Sequence, residues 1–242
     1  MASEKKSITT ADGSKLFYEV TGSGFPLFLL HGNGGSSEYF LYQVPVLSRF
    51  FKVYTVDLRG HGRSTNTQST LTFNLLSDDL YLIIEKEKIH SLDILGFSDG
   101  AIIAMRFAAD HPKMVRHLIL NAGNTLVNGL TYMAKMGVLL EYLWFRTLGV
   151  FPRWRGRAAI TALMLKDTGI TSSDLQRISA KTLVIVGKRD VIRLKHSMYI
   201  TDMIPNAVFV LVSGQGHLFA QKNPKLFNKH ILSFLLEKQV DL

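Results

Sequence analysis

In the stretch GFSDG, residues 96–100, two neighbouring side chains have the chemistry of a nucleophile, Ser98 and Asp99. A serine forms acyl-enzymes and suits esters or amides; an aspartate forms alkyl-enzymes and suits haloalkanes or epoxides. The flanking residues separate the two. A nucleophile at the tip of a tight strand-to-helix turn takes strained backbone angles, so the residues two places away must be small. Around Ser98 these are Gly96 and Gly100; around Asp99 they are Phe97 and Ala101, and a phenylalanine would crowd the turn. Ser98 is therefore the expected nucleophile. Its hydroxyl needs a base, and the base an orienting acid, both in loops after later strands. Asp190 ends TLVIVGKRD, and His217 lies in GQGH after AVFVLVSG. The expected order is Ser98 as nucleophile, Asp190 as acid and His217 as base. Plainer roles exist: Asp190 as the cap of a following helix, His217 as an idle loop residue. His31 and His61 also sit in glycine loops and could line a site. Neither follows the late strand from which a base would reach Ser98.

A tetrahedral intermediate needs hydrogen-bond donors for its oxyanion. One is expected from the backbone N–H of Asp99, the other from Asn33 in HGNGGSS, residues 31–37, where glycines let the backbone come close. Removing one such donor typically costs roughly 3 kcal/mol of transition-state stabilisation. The Asp99 carboxylate could attract a cationic group on a substrate, such as an amine. The plainer expectation is that only its N–H matters, with the side chain turned away or ion-paired.

Elements of two kinds must hold these residues. LFYEV (16–20) alternates like a strand, and PLFLLHG (26–32) reads as a strand buried on both faces. FKVYTVDLRGHG (51–62), SLDILGFSDG (91–100), HLILNA (117–122), KTLVIVGKRD (181–190) and AVFVLVSGQGH (207–217) contain further strands. Helices are expected over 71–89, 101–112 and 224–238, with one more between the last two strands. Strands alternating with helices imply a mainly parallel sheet covered on both faces. Residues 123–175 hold far more chain than one crossover needs. Apolar residues at 130, 133, 136, 139, 140, 143 and 144 have helical spacing, and the segment reads as an inserted helical lid. In TYMAKMGVLLEYLWF (131–145) the side chains of Met133, Met136, Leu139, Leu140, Tyr142, Leu143, Trp144 and Phe145 could cover an apolar acyl or aromatic group, or pack the lid onto the core.

Composition narrows the function classes. With 242 residues, 47% hydrophobic and 19% charged, the chain fits one sizeable α/β domain. The net charge of +9 is spread thinly, densest at Arg153, Arg155 and Arg157 and at Lys188 and Arg189. No nucleic-acid motif accompanies it, so the expectation is a solvated basic surface and no nucleic-acid partner. There are no cysteines, hence no disulfides or thiolate metal sites. No metal-ligand spacing, phosphate loop or dinucleotide fingerprint appears, so neither a metal nor a cofactor is expected. GVLLEYLWF is too short for a membrane span, which needs about 20 apolar residues. MASEKKSITT lacks an apolar core, and a cytoplasmic protein with a small-molecule substrate and no stable membrane insertion is expected. Oligomeric state is left open.

Taken together, HGNGG, DLRGHGRS, GFSDG, GKRD and GQGH resemble the α/β-hydrolase family, in its small lidded serine-hydrolase branch. The resemblance spans nearly the whole chain outside the lid. It implies an eight-stranded sheet, a triad of Ser98, Asp190 and His217, and oxyanion donors at Asn33 and Asp99. DLRGHGRS (57–64) is a structural hallmark in that family, so no catalytic role falls to Arg59 or His61. The implied domain division is a core of 1–122 and 176–242 with a lid of 123–175. The expected activity is hydrolysis of small or medium apolar carboxylic esters. Amide, thioester or carbon–carbon cleavage by the same triad, or a receptor on a hydrolase scaffold, are the alternatives.

Overall fold

The apolar runs read from the sequence lie side by side in one eight-stranded sheet. It is seen in a computed structural model that describes residues 3–151, 154 and 156–238. The strands are β1 (Ser3–Thr9), β2 (Lys15–Thr21), β3 (Phe25–Leu30), β4 (Phe51–Asp57), β5 (Leu92–Phe97), β6 (Val115–Asn121), β7 (Lys181–Arg189) and β8 (Ala207–Gly216). Their spatial order is β1-β2-β4-β3-β5-β6-β7-β8. The pairs β1–β2 and β2–β4 are antiparallel; from β4 to β8 every pairing is parallel. This is the expected mostly parallel α/β-hydrolase fold.

The strand patterns follow from which faces are covered. β2 alternates, with Leu16, Tyr18 and Val20 buried. β5 lies mid-sheet and all six of its residues are buried. On β3, Phe28 and Leu30 join one apolar cluster while Leu27 and Leu29 join the other, so the core is split into two layers by the sheet. β1 was not legible as a strand. It is an edge strand of charged and half-covered residues, and pairing with β2 places Ile8 opposite Leu16.

The described helices are α1 (Val44–Leu47), α2 (Phe73–Lys86), α3 (Asp99–Asp110), α4 (Tyr132–Leu148), α5 (Arg157–Ala162), α6 (Ser172–Arg177), α7 (Leu194–Met203), α8 (Phe219–Lys222) and α9 (Pro224–Leu235). Residues of α2, α3 and α7 pack on one layer, those of α1, α8 and α9 on the other. Between β6 and β7 lie α4, α5 and α6, in the segment expected to be helical. Its packing differs from the expectation. No residue of α4 is buried; Met133 is 78% exposed, Leu140 63% and Trp144 62%. Within α4 the periodic apolar stripe therefore points outward and a different face turns inward, while Leu130, ahead of the helix, is buried.

Of the densest basic residues, Arg153 and Arg155 lie outside the described residues, and Lys188 and Arg189 are exposed. Among the described residues no helix is long and apolar enough to cross a membrane.

Candidate active site

Ser98 sits where β5 ends and α3 begins, with φ 54° and ψ −118°, a region a serine enters only under constraint. The constraint is visible in its neighbours. A Cβ on Gly96 would lie 2.3 Å from the Gly100 carbonyl oxygen, and one on Gly100 would lie 2.1 Å from the Leu30 carbonyl oxygen. Strand and helix thus approach so closely that only glycine fits. The Ser98 N–H donates to the Asn121 carbonyl on β6 at 2.9 Å, and the Ser98 carbonyl accepts the first bonds of α3 from Ala101 and Ile102. Asp99 is the first residue of α3. The tight position is Ser98 and not Asp99, as the glycine spacing required.

Asp190 directly follows β7 and His217 directly follows β8. Their side chains meet: His217 Nδ1 and Asp190 Oδ1 are 2.8 Å apart. Asp190 Oδ1 also accepts from the Ile192 N–H at 3.0 Å. The acid does not cap α7, whose first turn is preceded by Arg193 with no side-chain cap. Its second oxygen, Oδ2, is buried without a partner among the described residues. Phe97 lies between Tyr39, stacked at 4.2 Å, and the His217 ring at 4.8 Å, and so backs the imidazole. The loop bearing Asp190 is tied to the helical segment: Thr131 N–H donates to the Val191 carbonyl at 2.8 Å and Arg193 N–H to that of Gly129 at 2.7 Å.

Ser98 and His217 line one cavity of about 340 Å³ together with Asn33 and Asp99. The Ser98 hydroxyl makes no hydrogen bond with His217 in this structure; such contacts commonly tighten only around substrate. A larger cavity of about 490 Å³ lies between residues 69–74 and the helical segment, walled off by Leu163, Lys166 and Thr168, and it holds neither Ser98 nor His217.

Asn33 follows Gly32, whose Cβ would lie 2.9 Å from that of Ser98. The Asn33 and Asp99 backbone N–H groups donate to no other described group. His31 braces this loop from beneath. One ring nitrogen, Nδ1, meets the Gly32 carbonyl at 2.7 Å, and Nε2 accepts from the Leu58 N–H at 3.1 Å. That pattern fits the neutral imidazole, and burial pushes its pKa down to about 3. His31 and His61 do not line the cavity. Arg59 is also remote from it: buried, it grips Asp79 through two bonds of 2.6 Å and reaches Asp12 at 2.6 Å.

The Asp99 side chain behaves differently from expectation. It neither turns to solvent nor forms an ion pair among the described residues. It is buried in the cavity wall, and Oδ2 accepts from Asn33 Nδ2 at 2.8 Å. Burial raises its pKa to about 6, with the Asn33 bond and the nearby His217 pulling the other way. The second Asn33 amide proton goes to the Ile160 carbonyl of α5 at 2.8 Å. The inner face of α4 supplies Ala134, Val138 and Glu141 to the cavity, and Met164, Lys166 and Thr168 come from beyond α5. These residues carried no motif, and the more conspicuous Met133, Leu140 and Trp144 are not among the lining.

Residues 26–166 match the family model described as alpha/beta hydrolase fold. The chain belongs to the α/β-hydrolase family. Among curated relatives of this hydrolase-family chain, the protein named "Putative carbamate hydrolase RutD" of Yersinia enterocolitica is 23% identical, covering 91% of this chain and 92% of its own. Among solved structures, a hydrolase from Pseudomonas aeruginosa is 25% identical over 96% of this chain and 98% of its own, with a TM-score of 0.78. A structure from Nitrososphaera gargensis, from work on carboxylesterases, reaches a TM-score of 0.85 at 22% identity, over 96% of this chain and 98% of its own. At that identity the likeness speaks for the fold.

Proposed function

We propose that the chain is a serine hydrolase that cleaves carboxylic esters of small or medium apolar substrates through an acyl-enzyme on Ser98. One observation carries the reading: a strained serine at a strand–helix tip shares a cavity with a histidine whose Nδ1 meets a buried carboxylate at 2.8 Å. Asp190 fixes the His217 tautomer and leaves Nε2 for the Ser98 hydroxyl. In the first half-reaction the Oγ proton passes to Nε2 and Oγ bonds to the carbonyl carbon. The oxyanion is met by the Asn33 and Asp99 N–H groups. The leaving alcohol takes the proton from Nε2. Water, deprotonated by the same nitrogen, then releases the acid and restores Ser98.

In this reading residues 123–175 form a lid over a core of 1–122 and 176–242. The apolar inner wall of Leu130, Ala134, Val138, Leu163 and Met164 accommodates the acyl group. No cofactor enters any step, and the setting is cytoplasmic. A second reading has a specific support. The full-length likeness to a protein named as a carbamate hydrolase favours cleavage of a carbamate or amide by the same triad. The deciding assay is hydrolysis of p-nitrophenyl esters of increasing acyl length by wild type and Ser98→Ala. The substitution is expected to lower turnover by on the order of a million-fold. Retained turnover in the variant sinks the acyl-enzyme reading; an inert wild type alongside cleavage of a matched carbamate or amide moves it to the second.

A further inference from the structure

Among the described residues, the buried carboxylates follow a rule with one exception. Asp57 pairs with Arg63, Asp79 with Arg59, Asp93 with Arg116 and Asp174 with Arg106. Even Asp190 has His217. Asp99 is as buried as these, at 4% exposure, and forms no ion pair among the described residues. Its single hydrogen bond is the neutral Asn33 amide on Oδ2, and Oδ1 has no described partner. An ionised carboxylate out of water is costly unless a cation meets it.

The surroundings add to the argument. The chain as a whole carries +9. The wall of this cavity has the opposite bias, with Asp99 and Glu141 set against Lys166 and His217, and His217 is already paired with Asp190. Glu141 and Lys166 are both exposed. Of these acidic and basic residues Asp99 alone is buried, and it lines the same cavity as Ser98, so a group it binds shares that cavity with the carbonyl under attack.

We infer that Asp99 is a specificity site whose missing cation is supplied by the substrate: an ammonium carried close to the carbonyl under attack, as in an amino-acid ester or amide. The inference rests on the serine-hydrolase reading for its chemistry, but the site itself is a binding claim and is tested as one. Ser98 and His217 do the bond-making; Asp99 Oδ1 holds the ammonium and sets which carbonyl reaches Ser98. A charge-assisted hydrogen bond in such a wall discriminates charged from neutral ligands by about tenfold or more.

The test has two arms, both at pH 7. In the first, kcat/KM is measured for L-phenylalanine ethyl ester and for ethyl 3-phenylpropanoate, which lacks only the amine. The ratio is read within wild type and within Asp99→Asn, so any general loss through the variant cancels. The expected result is a wild-type ratio at least about tenfold above that of the variant. Equal ratios overturn the inference. In the second, 2-phenylethylamine and 2-phenylethanol are titrated calorimetrically into Ser98→Ala and into Ser98→Ala with Asp99→Asn. The amine is expected to bind more tightly than the alcohol only where Asp99 is present. Equal binding, or no amine binding with Asp99 in place, overturns the inference. If neither ester is turned over, the ester reading falls, and the binding arm still decides the role of Asp99.

Discussion

Replacing Asp99 by asparagine should stabilise the protein at neutral pH, although it removes a group from the heart of the site. The free carboxyl ionises near 3.8, and burial lifts the folded value to about 6. The difference of about 2 pKa units corresponds to about 3 kcal/mol. The sign follows from where each state carries charge. Below pH 3.8 both folded and unfolded forms are neutral, and the carboxyl costs nothing. Between 3.8 and 6 the unfolded chain sheds its proton first, and stability falls as pH rises. Above 6 both are ionised and the full cost is present. Asparagine keeps an acceptor for Asn33 Nδ2 and never ionises. Its advantage should therefore be about 1 kcal/mol near pH 4.5 and reach about 3 kcal/mol by pH 8, or roughly 6–12 °C in Tm for a chain of this size. Thermal unfolding of both proteins across that range, followed by circular dichroism, reads the difference, since titrating groups remote from Asp99 cancel and nearby His217 is the described neighbour coupled to it. A variant less stable than wild type at pH 8, or an advantage that does not change with pH, would refute the reasoning. A gain in stability together with a loss of amine preference is the trade expected where function holds a charge out of water.

Other expectations concern the frame of the site. Asp190→Asn should lower kcat on the ester substrates by about 10⁴ with little change in fold, because the asparagine leaves His217 with the wrong tautomer; undiminished turnover would remove Asp190 from the mechanism. Gly100→Ala should fail to give folded protein, since the added Cβ would lie 2.1 Å from a β3 carbonyl oxygen, and a normal melting curve would contradict the packing described. Gly137→Ala is the control: nothing lies within 4 Å of the new Cβ inside α4, so a gain of about 0.5–1 kcal/mol is expected in denaturant unfolding. Arg59→Met should cost about 3–5 kcal/mol by stranding Asp79, while leaving KM near the wild-type value.

Much of this was legible because the chemistry imposes local rules on the chain. A strand–helix turn too tight for any Cβ must be written with glycine at 96 and 100, so the sequence announces Ser98. A buried central strand such as β5 must be apolar throughout. Loops at strand ends carry Asp190 and His217 in an order that topology dictates. Legibility failed where no such rule operates. β1 is an edge strand whose Lys5 and Lys6 suit solvent, so its partner and not its composition makes it a strand. The periodicity of α4 was real, but periodicity cannot say which way a stripe points. Its larger residues face outward, and the smaller Ala134 and Val138 line the cavity. The partner of the Asp99 side chain, Asn33, is 66 residues away in sequence, and no spacing rule joins them.

Asn33 has two side-chain amide protons and both are committed, one to Asp99 and one to the Ile160 carbonyl. Three parts of the molecule are thereby joined through one amide group: the loop bearing Asn33, the first turn of α3 and the helix α5. A ligand cation at Asp99 changes the hold of that carboxylate on Asn33, and so the hold of Asn33 on α5. Thermodynamic reciprocity then runs in both directions. Whatever the position of α5 does to cation affinity, a bound cation does by the same factor to the position of α5. The side chain whose backbone is proposed to steady the transition state thus also joins the proposed cation site to α5.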